Sequence, residues 1–217
     1  MRVLRVNQFV FLLNALVSVS ALATSKEYWR GPFFWQQKEA IHERMRTQRY
    51  IPVSVLRNSS DWSIKGAGLV KAEASFVFDY AKDFNHLKKY TEIFQTVDWD
   101  EKAQELTVIP KFFSGSLRAK MKIWTVVEKG TQGSAPQDSL RRIHFQVLEG
   151  PFKNAEGALL IAEVSRQECE VGLVSVYSGL IVAFGNDLMA VAMEGALHSL
   201  ASSLRQAVEE AWLQKNK

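Results

Sequence analysis

The sequence predicts an α+β protein in which an antiparallel sheet packs against one long C-terminal helix. Apolar and polar residues alternate over 117–128 and again over 141–149, which is the period of a strand with one buried face. Residues 186–213 instead repeat apolar side chains every three or four positions, the period of a helix. Because strand patterns follow one another in runs and the longest helix comes last, the class is α+β.

The composition is that of an ordinary globular protein of one domain. The chain has 217 residues, of which 47% are hydrophobic and 23% charged, so it can bury a core without covalent staples. Its formal net charge is +4. Without Arg2 and Arg5, the 27 basic residues fall to 25 against 23 acidic ones, a net charge of +2. A charge this small argues against nucleic-acid binding, which needs a concentrated basic field.

Residues 1–23 have the pattern of a secretory signal peptide. Arg2 and Arg5 make the start positive, residues 9–23 are apolar and uncharged, and the run ends on the Ala-Leu-Ala that a signal peptidase accepts. The run is shorter than the ~20 residues of a membrane-spanning helix. We therefore expect an exported protein, with a bacterial periplasm favoured; an uncleaved anchor or a buried helix is the alternative.

An aromatic and charged N-terminal extension, residues 24–51, follows the signal pattern. Residues 38–49 have a short helical pattern, and five aromatic side chains lie within residues 28–35. We expect these aromatics to dock on the domain. The alternative is a membrane interface, where Trp and Tyr are favoured.

The main domain is predicted over residues 52–214. Its internal helical segment, residues 73–94, has apolar positions three and four apart, and we expect a bend at Asn85 that divides it into two short helices. The predicted strands are 53–57, 62–71, 96–100, 105–110, 117–128, 141–149, 157–165 and 168–178.

Three stretches of this domain resemble one family. Residues 76–84 followed by Tyr90 resemble its helix pair, residues 145–152 (FQVLEGPF) its mid-sheet turn, and the last helix, with 194–197, its C-terminal helix. Over about residues 53–212 the chain is similar to the START-related helix-grip (SRPBCC) superfamily, in particular to its polyketide cyclase/dehydrase and coenzyme-Q-binding-protein-like branch. The resemblance implies a helix-grip fold, a curved sheet around the long helix. An apolar cavity between them holds lipids, sterols, quinones or polyketides in members of the superfamily.

Within such a fold, the alternation predicts which side chains line the cavity. Flexible methionines among them suit an adaptable apolar site, and a solid core of the same residues is the alternative. The predicted ligand-binding residues are Tyr90, Phe94, Met121, Ile123, Phe145, Val147, Leu160, Leu173, Leu188, Met189, Ala192 and Met193.

Apolar loops are predicted to rim the mouth of this cavity. Loops so poor in charge mark binding or membrane contact when they are exposed, so we expect a lid that touches the ligand or a bilayer. The alternative is that they pack beneath the start of the long helix. The predicted lid residues are Phe112, Phe113, Phe152, Leu180, Ile181 and Phe184.

No catalytic or metal-binding constellation is recognisable in the sequence. The four histidines lack metal-ligand spacing, His144 is predicted on the outward side of its strand, and the single cysteine, Cys169, is expected in the core. His198 and Glu163 are the ionisable residues that could reach a cavity. We expect His198 to be hydrogen-bonded at the side of its helix and Glu163 to lie at the surface, so no metal, cofactor or catalytic residue is assigned.

Non-catalytic binding or transfer of an apolar ligand, such as a lipid or a quinone, is therefore the favoured function. The expected partners are this small molecule and, transiently, a membrane. One alternative is a protein-interaction module with a filled core. Another is an enzyme of the cyclase/dehydrase type, which would need an ionisable residue with a shifted pKa inside the cavity.

Overall fold

The structure is a computed structural model that describes residues 39–58, 61–89, 94–111, 118–128, 140–150, 152–179 and 186–216. The predicted signal segment and the aromatic residues of the extension lie outside these ranges. Export, the docking of the aromatic segment and the domain boundaries therefore stay predictions.

Eight antiparallel strands form one curved, open sheet, and the long C-terminal helix completes the predicted helix-grip architecture. Their order in the sheet is β1-β2-β8-β7-β6-β5-β4-β3. The strands are β1 (Val53–Asn58), β2 (Asp61–Val70), β3 (Phe94–Asp100), β4 (Glu105–Pro110), β5 (Ala119–Glu128), β6 (Leu140–Glu149), β7 (Glu156–Ser165) and β8 (Glu168–Ser178). The predicted α+β fold is confirmed.

Within the described residues, three α-helices and one 3₁₀ helix accompany the sheet. They are α1 (Glu39–Gln48), α2 (Ala74–Lys82), the 3₁₀ helix (Phe84–Lys89) and α3 (Asn186–Lys215). The helix pair is broken at Asp83 and not at Asn85, where we predicted the bend. The Asp83 Oδ1 atom accepts the backbone N–H of Asn85 at 3.1 Å, a local hydrogen bond that competes with the helical ladder.

The helices lie on both faces of the sheet. Val77 of α2 and Val208 of α3 pack in one buried cluster with Ile161 of β7, and we call this side of the sheet the inner face. On the opposite side, the outer face, Met45 of α1 packs against Ala67 of β2. Because β-strand side chains alternate between faces, the strand register assigns each sheet residue to one of the two.

Polar side chains of α3 bind β1, the strand at the edge of the sheet, and the residues just before it. The Glu194 Oε1 atom accepts the backbone N–H of Val55 at 2.8 Å. One turn further along, the His198 Nδ1 atom lies 3.1 Å from the carbonyl oxygen of Ile51. His198 is thus a hydrogen-bonded residue at the side of its helix, as predicted.

The second half of α3 continues this row of contacts. The Arg205 guanidinium donates to the carbonyl oxygen of Arg49 at 2.8 Å, and the Arg49 side chain pairs with Glu209. The same Glu209 carboxylate accepts the backbone N–H of Lys71 at 2.8 Å. Arg49 follows α1 directly, so it links the helix on the outer face to the helix on the inner face.

Candidate functional site

The centre of the inner face carries apolar side chains that are only half-buried. Met121, Phe145 and Leu159 pack against the buried core yet keep part of their surface accessible. Leu173 pairs with Leu159 across β7 and β8 and is also half-buried. Close-packed interiors leave few voids larger than a water molecule, so accessible surface on these central strands indicates space beside them.

The Phe145 ring forms part of the floor of this space. Phe145 pairs with Gly157 across β6 and β7, and a Cβ atom at position 157 would lie 2.0 Å from Cζ of the ring. The ring therefore lies over the backbone of β7, which only glycine permits. Gly157 thus determines how Phe145 is oriented.

Several predicted lining residues come together on the inner face. Met121 pairs with Val147 and Ile123 with Phe145, and all four share this face with Leu173. Ile123 and Val147 are buried, at 5% and 6% exposure, so they form the base and not the open surface. Phe94 packs against the same cluster from β3.

Leu160 does not belong to this group. It pairs with Arg142 and Gly172, which places it on the outer face, where it is 1% exposed. Its neighbour Leu159 occupies the inner position instead. Residues 157–162 are uninterruptedly apolar or glycine, and a strand buried on both faces has no alternation from which to read its orientation.

Of the four lining residues predicted on α3, the structure describes the side chains of two. Ala192 is exposed, and Met193 packs against Val55 and Trp62 near the sheet edge, away from Met121 and Phe145. Tyr90 lies outside the described residues. For Leu188 and Met189 the structure describes the helical backbone but not the side chains.

Phe152 is the one predicted lid residue that lies within the described ranges. Its ring meets the Tyr177 ring edge-on, with centroids 5.8 Å apart. The remaining predicted lid residues lie outside the described ranges: Phe112, Phe113, Leu180, Ile181 and Phe184.

Ionisable groups in the described parts of the sheet lie away from the apolar centre. Cys169 is fully buried at the end of β8, as predicted, and burial raises the pKa of its thiol to about 12. Glu163 pairs with Cys169 at the same end of the inner face and is half-buried. His144 is stacked on Trp124 with ring centroids 5.2 Å apart, and desolvation by burial, with the nearby Arg142, lowers the pKa of His144.

A buried carboxylic acid lies on the outer face. Glu170 is 1% exposed and pairs with Leu69 and Ala162. Neither of its carboxyl oxygens has a hydrogen-bond partner among the residues described here, and burial raises the pKa of Glu170 to about 7. Sequence reasoning missed this residue, because nothing in the local pattern marks a glutamate as buried. No group of acids, histidines and cysteine that could hold a metal occurs in the described part of the chain.

Comparison with known proteins now identifies the family. A family model described as polyketide cyclase/dehydrase and lipid transport matches residues 62–209, which is most of the chain. The protein belongs to this family. The predicted superfamily is thereby confirmed, without the coenzyme-Q-binding branch being singled out. We call the residues that match the family model the family core. It starts within β2, so α1 and β1 precede it. Among curated proteins, none matches the chain.

Among solved structures, one protein from Thermus thermophilus supports the fold. The chain is similar to the protein TTHA0849 from Thermus thermophilus, with 20% identity, a TM-score of 0.52 and coverage of 69% of this chain and 98% of that one. A START superfamily protein from Mycobacterium smegmatis has 15% identity and a TM-score of 0.49, with the same coverage. Thalictrum norcoclaurine synthase has 14% identity and a TM-score of 0.45, covering 74% of this chain and 99% of its own.

Within the described residues, no helix combines the length and apolar character that crossing a bilayer requires.

Proposed function

We propose that this protein binds an apolar ligand, such as a lipid or a quinone, on the inner face of the sheet and carries it without transforming it. One observation supports the proposal above all: the half-buried row of Met121, Phe145, Leu159 and Leu173 at the centre of the sheet. An apolar ligand that covers this row would gain roughly 25 cal/mol for each Å² removed from water.

The burial of the side chains of β7 supports this proposal further. On the outer face, Ala158 and Leu160 are 0% and 1% exposed. On the inner face, Leu159 between them keeps accessible surface. Ile161, two residues further along the inner face, is 0% exposed, so the space lies beside Leu159 and does not extend along the whole strand. A filled core would bury Leu159 as completely as Ile161, and this contrast favours a space that a ligand occupies over the filled interaction module.

The chemistry of the row favours carrying over catalysis. Its side chains offer no proton donor, acceptor or nucleophile. Cys169, the single thiol of the chain, is held neutral by burial. On the outer face the pKa is shifted for His144, Glu170 and Lys120, and all three lie across the sheet from the row. Enzymes of this fold class would need an ionisable side chain beside the ligand.

We further propose that the protein acts after export, in a bacterial periplasm, and touches a membrane when it loads. The signal-like residues 1–23 and the apolar loops around Phe113 and Phe184, the second of which carries no charge, support this part of the proposal. Phe113→Ser and Phe184→Ser should impair loading from vesicles while thermal unfolding stays nearly unchanged. If these variants lost the folded state instead, the two loops would belong to the core and the lid hypothesis would be wrong.

Native mass spectrometry of the mature protein purified from a periplasm, followed by organic extraction, tests the ligand directly. We expect a co-purifying apolar molecule at near-stoichiometric amount. A clean unliganded mass that persists after incubation with mixed lipids and quinones would contradict the proposal.

A space-filling variant tests the location. Leu173→Phe adds volume to the proposed space, so it should weaken ligand binding at least tenfold without lowering the melting temperature. In a close-packed core the same change costs about 1–3 kcal/mol. Leu56→Phe, at an exposed position of β1 (59%), is the control and should change neither quantity. Destabilisation by Leu173→Phe with ligand binding intact would indicate a filled core.

A further inference from the structure

A second concavity lies between the 3₁₀ helix and β3, outside the apolar row. It is a pocket of about 260 Å³, and its sides come from the last turn of the helix and the first residues of the strand. It is lined by Leu87, Lys88, Phe94, Gln95, Thr96 and Val97.

The floor of this pocket is continuous with the core under the inner face. Val97 is 9% exposed and belongs to the same buried cluster as Val108 and Ile123. Val97 pairs with Val108, which pairs with Ala119, and Met121 follows on the same face of β5. The apolar floor of the pocket is therefore continuous with the buried core beneath the half-buried row.

The rim of the pocket is polar and can donate hydrogen bonds. Lys88, Gln95 and Thr96 are exposed, and no carboxylate is among the lining residues that the structure describes. The Lys88 ammonium makes no ion pair with any residue that the structure describes. By contrast Lys82, on the preceding helix, pairs with Asp79 at 2.8 Å. A lysine offers three donors and no acceptor, so an unpaired one beside an apolar floor suits an anion.

We propose that this pocket receives the anionic head group of an amphiphile, a carboxylate or a phosphate, whose apolar chain extends past the half-buried Phe94 toward the inner face. This inference rests on the proposed function and specifies its ligand class. The pocket is smaller than pockets that enclose a whole ligand, which span roughly 300–1,000 Å³. Its volume therefore suits the head group alone. Lys88 supplies the charge, and Gln95 and Thr96 supply neutral donors.

Two twelve-carbon probes that differ only in the head group test the inference. Binding of dodecanoate and of dodecanol is measured by isothermal titration calorimetry on the wild type, Lys88→Gln and Lys89→Gln. Lys89 is the matched control, because it is exposed, carries the same charge and does not line the pocket. Inorganic phosphate is added as a competitor, to separate an amphiphile site from a site for free anions.

We expect the wild type to bind dodecanoate about two- to fivefold more tightly than dodecanol, as one exposed charge pair provides. Lys88→Gln should remove this preference and leave dodecanol binding unchanged, whereas Lys89→Gln should keep it. Millimolar phosphate should not displace dodecanoate. The head-group site would be contradicted if the wild type bound the two probes with equal affinity, or if the two lysine variants lost equal affinity for dodecanoate. Displacement of dodecanoate by phosphate would contradict it as well. In each of these cases the apolar-ligand proposal would still stand. Binding of neither probe would count against both.

Discussion

The carboxylate of Glu194, on α3, accepts the backbone N–H of Val55 on β1. β1 is the edge strand of the sheet, so donors on its free side have no neighbouring strand to bind. Because Glu194 provides an acceptor for one such donor, it holds α3 against the edge strand. The position of α3 above the inner face, and with it the width of the proposed ligand space, therefore depends on this contact.

Glu194→Ala should lower the free energy of unfolding by about 1–3 kcal/mol, because a charge-assisted hydrogen bond is lost and a backbone donor is left without its partner. Glu194→Gln keeps an acceptor oxygen and should cost less. Urea denaturation provides the measurement. Gln206→Ala, which breaks an exposed contact with Glu210 on the same helix, should stay within about 0.5 kcal/mol. Equal effects at Glu194 and Gln206 would show that the edge contact contributes little.

Gly157→Ala should destabilise the protein by about 1–3 kcal/mol, because the new methyl group overlaps the Phe145 ring. In a Phe145→Leu background the same change should cost clearly less, and this coupling is the quantity to measure in a double-mutant cycle. Additive effects would refute the contact.

Gly195, in the middle of α3, is the comparison for that cycle. A Cβ atom there meets nothing within 4 Å, so Gly195→Ala should stabilise the protein by up to about 1 kcal/mol through helix propensity.

Glu170 should make the protein less stable as the pH rises. Burial raises the pKa of this carboxyl from 4.5 to about 7, so between these values the folded state holds a proton that the unfolded state has released. Stability is therefore full below pH 4.5, falls as the pH rises to about 7, and is flat above; the total change is roughly 3 kcal/mol.

Glu170→Gln should remove this pH dependence. In denaturation at pH 5 and pH 8, the wild type should lose about 2–3 kcal/mol between the two values and the variant should lose much less. The same slope in both proteins would assign the effect to another group.

The Cys169 thiol should be unreactive in the native protein. Burial raises its pKa to about 12, so at pH 8 its thiolate fraction is about a thousandfold below that of an ordinary cysteine. A thiol reagent such as DTNB should label one group after unfolding in urea and none before. Rapid native labelling would mean that this end of β8 opens readily.

Sequence reasoning identified the strands well where one face is buried and the other is not. Alternation placed Ile143, Phe145 and Val147 on the inner face, because polar residues between them mark the opposite side. It failed for Leu160 because β7 is apolar on both faces. The break at Asp83 was missed by two residues, since either Asp83 or Asn85 could have ended the helix.

The candidate site was harder to predict than the fold. Periodicity assigns a residue to a face but does not distinguish a half-buried side chain, such as Leu159, from a fully buried one. The pocket beside Lys88 depends on how the 3₁₀ helix lies against β3, which is a tertiary relationship. The burial of Glu170 also arises only when β2, β7 and β8 come together.

The position of β1 and α1 before the family core has a consequence for solubility. A shortened version of the protein that began at residue 62 would keep the whole family match but expose the side of β2 that now pairs with β1. That side is a long strand edge with unpaired amides, flanked by Trp62 and Ile64, and such edges seed strand-to-strand aggregation. The N-terminal addition thus replaces this long edge with the shorter edge of β1, where Glu194 already binds the Val55 donor, and it thereby limits self-association of the sheet.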